Sequence, residues 1–138
     1  MYLIDTDVVS ELRKGMKANA NVMRFFSEAD KLNHALYLSA ITIGELRRGV
    51  EIIRHRKDLQ QAKRLEAWLD SVLDEYEEHI LEFGPEEAQV WGRLRVPHPE
   101  NALDKQIAAT ALTRGLKLVT RNLDHFSQMG LTVIDPFT

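Results

Sequence analysis

Apolar positions along the chain fall into short runs that alternate with helical stripes. Tyr2, Leu3 and Ile4 form an apolar run that begins almost at the N-terminus and stops at Asp5, with Thr6 and Asp7 behind it. Such a run predicts a short buried strand that delivers a carboxylate at its C-terminal end. It is too short, and lacks the basic lead-in, for a targeting segment. Val8 to Arg13 reads as a short helix closed by Gly15. Asn19 or Asn21 is placed to cap a second helix that buries Val22, Phe25, Phe26 and Ala29. Leu36 to Leu38 predicts a second strand, which runs into Ser39-Ala-Ile-Thr42. There Thr42 is placed to cap the next helix, with Glu45 as its capping-box partner. That helix extends to about Arg56 on the stripe Ile43, Leu46, Val50 and Ile53. Leu59 to Tyr76 carries a second stripe of Ala62, Leu65, Leu69, Val72, Leu73 and Tyr76, so the two helices predict an antiparallel hairpin. Trp68 lies beside that stripe, as core or as an anchor at a subunit interface.

The second half repeats the alternation. Ile80 to Phe83 predicts a third strand, and Gly84-Pro85-Glu86-Glu87 a helix start, with proline in the first turn and acids at the positive end of the dipole. Ala88, Trp91 and Leu94 form that helix's expected buried side. Val96 to Pro99 breaks the chain into a loop. A helix from Asn101 to Thr113 follows, stopped by Gly115, and then strands over Leu116–Val119 and Leu131–Ile134. Strands alternating with helices predict an α/β sandwich around a small, mostly parallel sheet, as one domain over residues 1–138.

Composition narrows the chemistry. The 138 residues are 44% hydrophobic and 28% charged, ordinary for a globular chain. No apolar stretch approaches the roughly 20 residues that span a bilayer. With no cysteine, disulfide frameworks and thiolate metal sites are excluded, which fits a reducing cytoplasm. A net charge of −3 hides an uneven distribution: 12 of the 18 Lys and Arg lie between Arg13 and Arg64, while seven acids crowd between Asp74 and Glu87. A local basic face binds phosphates whatever the total, although such charges also simply solvate helices.

Asp104 is the most informative acid. On a helical wheel it falls within the stripe formed by Ile107, Ala108 and Ala111. A carboxylate there needs a partner, either a salt bridge, a cap or a metal. Glu45 lies off the centre of its own stripe, one turn before Gly49, whose missing side chain leaves space beside it. Asp7 is most simply an acid in a first helical turn. Leu118-Val-Thr120-Arg-Asn122-Leu-Asp124 repeats the opening pattern of an apolar strand running into polar groups, so Thr120, Asn122 and Asp124 are expected along the crevice that holds Asp5. Gathered carboxylates repel one another, and a hard divalent cation removes that conflict. Magnesium, with manganese as a substitute, leaves room for substrate phosphate oxygens and supports phosphodiester cleavage. No HExxH spacing, glycine-rich phosphate loop or GxSxG elbow is present.

Four segments in order carry a resemblance: Tyr2 to Arg13, Ser39 to Leu46, Asp104 to Leu112, and Leu118 to Asn122 with Phe126. Together they resemble the PIN-domain nucleases, specifically the VapC-type toxins of toxin–antitoxin pairs. The resemblance implies a three-layer α/β/α fold and a cytoplasmic, magnesium-dependent endoribonuclease acting on tRNA or ribosomal RNA. It also implies a cognate antitoxin and a homodimer. Asp5, Glu45 and Asp104 are the implied metal-binding acids. Many relatives carry an acid at the position of Asn122 or of His125; here Asp124 is the nearby acid, and Thr120 and Asn122 are supporting polar groups. Glu45 or Asp124 is the implied base. Arg13, Arg47 and Arg48, with Arg54, Arg56 and Lys57, are candidate contacts to RNA. Two rivals stay open: a haloacid-dehalogenase-like phosphatase using Asp5 as nucleophile, and a non-catalytic RNA- or protein-binding domain.

Overall fold

In the computed structural model, which describes residues 1–138, five short strands form one sheet. They are β1 (Tyr2–Ile4), β2 (Leu36–Ser39), β3 (Ile80–Leu81), β4 (Lys117–Val119) and β5 (Val133–Ile134), in the order β3-β2-β1-β4-β5. Every pairing is parallel, so the sheet is wholly rather than mostly so. Leu3 sits opposite Tyr37 on one side and Leu118 on the other. The chain builds outward from β1 through β2 to β3, then returns to the far side of β1 with β4 and β5. The reversal lies between β1 and β4, and the crevice at the C-terminal ends of such strands is where ligands bind in open α/β sheets.

Six helices cover the two faces: α1 (Thr6–Leu12), α2 (Ala20–Lys31), α3 (Ala40–His55), α4 (Leu59–Glu75), α5 (Pro85–Leu94) and α6 (Ala102–Arg114). The twofold alternation of β1 divides them. Ile4 packs with Val8 and Val9 of α1, Val22 of α2, Leu46 and Val50 of α3, and Leu69 and Val72 of α4. Leu3 packs with Ile107, Ala108 and Ala111 of α6, and with Leu118, Phe126 and the flank of Leu94. The result is the expected three-layer α/β/α architecture, with α3 and α4 forming the expected hairpin. No helix is long and apolar enough to cross a membrane.

Several local expectations are corrected. Helix α1 starts at Thr6 rather than Val8, because Asp5 itself is the cap: its carboxylate accepts from Thr6 N. Asn19, not Asn21, caps α2. Ser39 caps α3 by accepting from Ile41 N, so the helix starts two residues before Thr42 and no Thr42–Glu45 capping box forms. Strands β3 and β5 are two residues each, shorter than expected. Ala88, Trp91 and Leu94 of α5 are only half-buried. The buried residue of that helix is Glu87, paired with Arg114 of α6 at 3.4 Å. Gly115, at φ +66, ends α6 as expected.

Candidate active site

Five segments meet at the C-terminal edge of β1 and β4. Asp5 leaves β1 with 3% of its surface exposed and both oxygens engaged. Oδ1 accepts from Thr6 N at 2.8 Å, and Oδ2 accepts from the Thr120 hydroxyl at 2.7 Å. Thr120, fully buried after β4, in turn accepts from Asn122 N at 3.1 Å. A relay therefore runs from Asn122 N–H through Thr120 to Asp5, and both supporting polar residues expected from the sequence take part. Glu45, half-buried one turn into α3, accepts at Oε1 from the Thr6 hydroxyl at 2.9 Å. The same Thr6 oxygen lies 3.0 Å from the Thr42 hydroxyl. Thr6 has one proton and gives it to Glu45, so Thr42 supplies the proton between the two threonines. That is the work of Thr42 in place of capping.

Asp104, in the first turn of α6, has His125 Nδ1 at 2.6 Å from its Oδ2. His125, rather than Asn122 or Asp124, is therefore the residue of this segment that touches Asp104. Asp124 stands beside it in the short 3-10 turn Leu123–Phe126, where it is exposed. Asp7 joins the site instead. Its Oδ2 accepts from Arg121 N at 3.1 Å, and its Oδ1 is buried with no hydrogen-bond partner.

The electrostatics show that these acids form one group. Burial pushes the Asp5 carboxyl up to about 7, Asp7 adds to the rise and Asp104 adds a little more, against the lowering by Thr120 and Thr6. Burial also raises Asp7 and Glu45, and the charge of Asp104 raises both further. Like charges brought together out of water each disfavour the others' ionisation. No three His, Asp or Glu side chains are gathered closely enough to grip an ion directly. The donor set nonetheless suits magnesium, which is held by one or two carboxylates and keeps several waters. The unpartnered Asp7 Oδ1 and the mutual repulsion of four acids are what such an ion would relieve.

The expected RNA contacts divide. Arg47 is 2.6 Å from Glu66 and 3.4 Å from Glu51. Arg54 pairs with the same two acids, so both arginines are largely neutralised. Arg48 and Arg56 line a surface depression with His55 at the end of α3. Arg13 is exposed just beyond α1 and makes no ion pair.

Residues 2–130 match the family model described as PIN domain. The chain belongs to the PIN-domain family. The resemblance drawn from the four sequence segments is therefore borne out. Curated relatives are similar over 99% of this chain: plasmid stability protein StbB of Pseudomonas syringae pv. tomato (32% identical, 99% of its length), toxin FitB of Neisseria gonorrhoeae (32%, 99%) and VapC ribonuclease Y4jK of Sinorhizobium fredii (31%, 98%). The crystal structure of FitAcB from Neisseria gonorrhoeae superposes with a TM-score of 0.80 at 31% identity, covering 99% of each chain. A chain of a toxin–antitoxin complex from Klebsiella pneumoniae shares the fold, with a TM-score of 0.65 at 23% identity over 99% of this chain and 98% of that one. In this PIN domain Asp5, Asp7, Glu45 and Asp104, from three of the four segments, stand at the sheet edge where the architecture places a ligand.

Proposed function

We propose that this chain is a magnesium-dependent endoribonuclease toxin that hydrolyses phosphodiester bonds in tRNA or ribosomal RNA and is inhibited by a cognate antitoxin. The observation that carries the reading is the acid group itself. Asp5, Asp7, Glu45 and Asp104 come from three separate segments to the crevice between β1 and β4, where burial and the charge of Asp104 raise the pKa of Asp5, Asp7 and Glu45. The relative named a VapC ribonuclease supports RNA as substrate, and the relative named toxin FitB supports the toxin role. The toxin–antitoxin complex of the same fold supports inhibition by a partner protein.

Asp5, Glu45 and Asp104 would hold the cation, with Asp7 close by. When bound, the cation polarises a phosphoryl oxygen and lowers the pKa of water. The chain's own contribution is placement and proton transfer. Thr120 and Thr6 N fix the Asp5 carboxylate in one orientation. His125 restrains Asp104. Glu45 spends Oε1 on Thr6, which leaves Oε2 to take a proton from the attacking water, and its raised pKa makes it a better acceptor near neutral pH. Membership of the PIN-domain family disfavours the phosphatase rival. A homodimer and a cytoplasmic location belong to the same reading; the absence of cysteine fits the latter.

The test is RNA cleavage by purified protein freed of any partner. Wild type should give discrete fragments from tRNA or ribosomal RNA with magnesium and none with chelator, while Asp5→Asn and Asp104→Asn should give none in either. Equal cleavage in all conditions, or RNA binding that ignores magnesium with no cleavage across a broad panel, would sink it. The second outcome is what the non-catalytic rival requires, and the absence of a ready-made trio of ligands is the observation that keeps that rival in view.

A further inference from the structure

We infer that the cleft between the end of α1 and the first half of α4 holds a nucleotide of single-stranded RNA, with its base on Trp68 and its phosphates on Arg13 and Arg64. This rests on the ribonuclease reading above and names where the strand runs beyond the acids. The cleft has a volume of about 400 Å³ and is lined by Arg13, Lys14, Gln61, Arg64, Leu65 and Trp68, with no acid among them. Arg13 and Arg64 are exposed and enter none of the ion pairs of the structure. Lys14 contacts Glu11 at 2.9 Å and keeps half of its side chain in solvent. This differs from the α3 surface, where Glu51 and Glu66 cancel Arg47 and Arg54 and where the depression that holds Arg48 and Arg56 has no tryptophan, tyrosine or phenylalanine in its lining. It also differs from the larger cleft beside α6, where Glu100 and Asp124 offset Arg93 and Lys105 and leave no excess of fixed cationic charge.

Trp68 supplies the second component. Part of its ring packs against the core under α4, and the rest lines the cleft. Its indole N–H has no partner in the protein, whereas that of Trp91 donates to Ala102 O. A positively charged groove with an aromatic platform is the arrangement that holds single strands, by stacking and phosphate contact without reading sequence. Duplex RNA offers no free base face to such a ring.

The cleft connects to the acids. Arg121 N donates to Asp7 Oδ2, and the Arg121 guanidinium lies 4.4 Å over the Phe137 ring. Its charge acts on both Asp7 and Glu11, and Glu11 holds Lys14 at the cleft wall. Arg121, Lys14, Arg13 and Arg64 therefore mark a cationic path from the catalytic edge along α1, a helix about 10 Å long. A strand with its scissile phosphate at the acids can follow that path.

The experiment measures binding of a labelled single-stranded RNA oligonucleotide of mixed sequence to the full chain in chelator, by anisotropy, across a salt series. Wild type should bind, and an equal mass of RNA duplex should compete poorly. Arg13→Gln with Arg64→Gln removes two phosphate contacts and should flatten the slope of log K against log salt by about 1.4. Trp68→Leu should weaken binding at least about fivefold, with Trp68→Phe recovering most of it. Lys31→Gln with Lys117→Gln, the same charge change at the opposite edge of the sheet, should leave the slope unaltered. If Trp68→Leu fails to fold, the exposed arginine pair still decides. Wild-type slope and affinity in the arginine pair would overturn the cleft while leaving the nuclease reading intact. Loss of binding to an acidic polyglutamate peptide with RNA binding unchanged would overturn it too, by making this a protein-docking surface. No RNA binding and no cleavage by wild type would overturn both readings.

Discussion

Replacing Asp5 by Asn should stabilise the metal-free protein, and more so as the pH rises. Folding carries this carboxyl from its ordinary value of 3.8 up to about 7, chiefly by burial and then by Asp7. Below pH 3.8 the group is protonated in both folded and unfolded chains and stability is unaffected. Between there and about 7 the unfolded chain has released the proton and the folded chain has kept it, so stability falls as pH rises. Above about 7 the full penalty stands. From pH 5 to pH 8 the folded protein loses about two units' worth, or about 3 kcal/mol at 1.36 kcal/mol per unit. With 3% of its surface exposed, Asp5 has little solvent to screen that cost. Asp7 and Glu45 are raised as well, but they remain in both proteins, so the difference between variant and wild type isolates Asp5. The assay is thermal unfolding of both proteins in chelator at pH 5 and pH 8. The advantage of Asp5→Asn should grow between the two by on the order of 10 °C. An advantage that is the same at both pH values would refute the reasoning, because it would mean that Asp5 is ionised in the folded chain throughout.

Two further predictions concern the groups around that acid. Thr120→Val keeps the shape of a fully buried side chain but removes the donor to Asp5 Oδ2 and the acceptor for Asn122 N; it should cost about 1–3 kcal/mol by denaturant titration. It should also move the pH midpoint of wild-type instability upward, since the Thr120 hydroxyl holds the Asp5 pKa down. Ser39→Ala removes the cap of α3 and should cost about 1 kcal/mol, read as a shifted urea midpoint at unchanged slope.

Much of this was readable from the chain because local rules and tertiary demands agreed. Tyr2-Leu3-Ile4 is short and β-forming, Leu3 and Ile4 are both fully buried on opposite faces, and Asp5 follows at the sheet edge. Asp104 was conspicuous because Ile107, Ala108 and Ala111 beside it are all fully buried. The sequence misled where two residues offered the same local chemistry. Ser39 and Thr42 are both able to cap a helix; the extended backbone at Ser39 (φ −81, ψ 144) selects it, and burial against Thr6 claims Thr42. Asp7 reads as an ordinary acid of a first helical turn, and its place beside Arg121 N, 114 positions on, shows only in the fold; likewise the position of His125 is legible, but not its contact with Asp104. Similarly, Arg47 looked like a free cation until the hairpin brought Glu66 of α4 against it.

The proposed nuclease activity requires that the acids at residues 5, 45 and 104 bind a divalent cation together. Calorimetric titration of chelator-treated protein with manganese at pH 8, beside Asp5→Asn, Glu45→Gln and Asp104→Asn, measures that binding directly. Wild type should bind saturably, and each substitution, by removing a charged ligand, should weaken binding by about tenfold or more. Wild-type protein that takes up no manganese, or three variants that bind it as wild type does, would contradict that requirement.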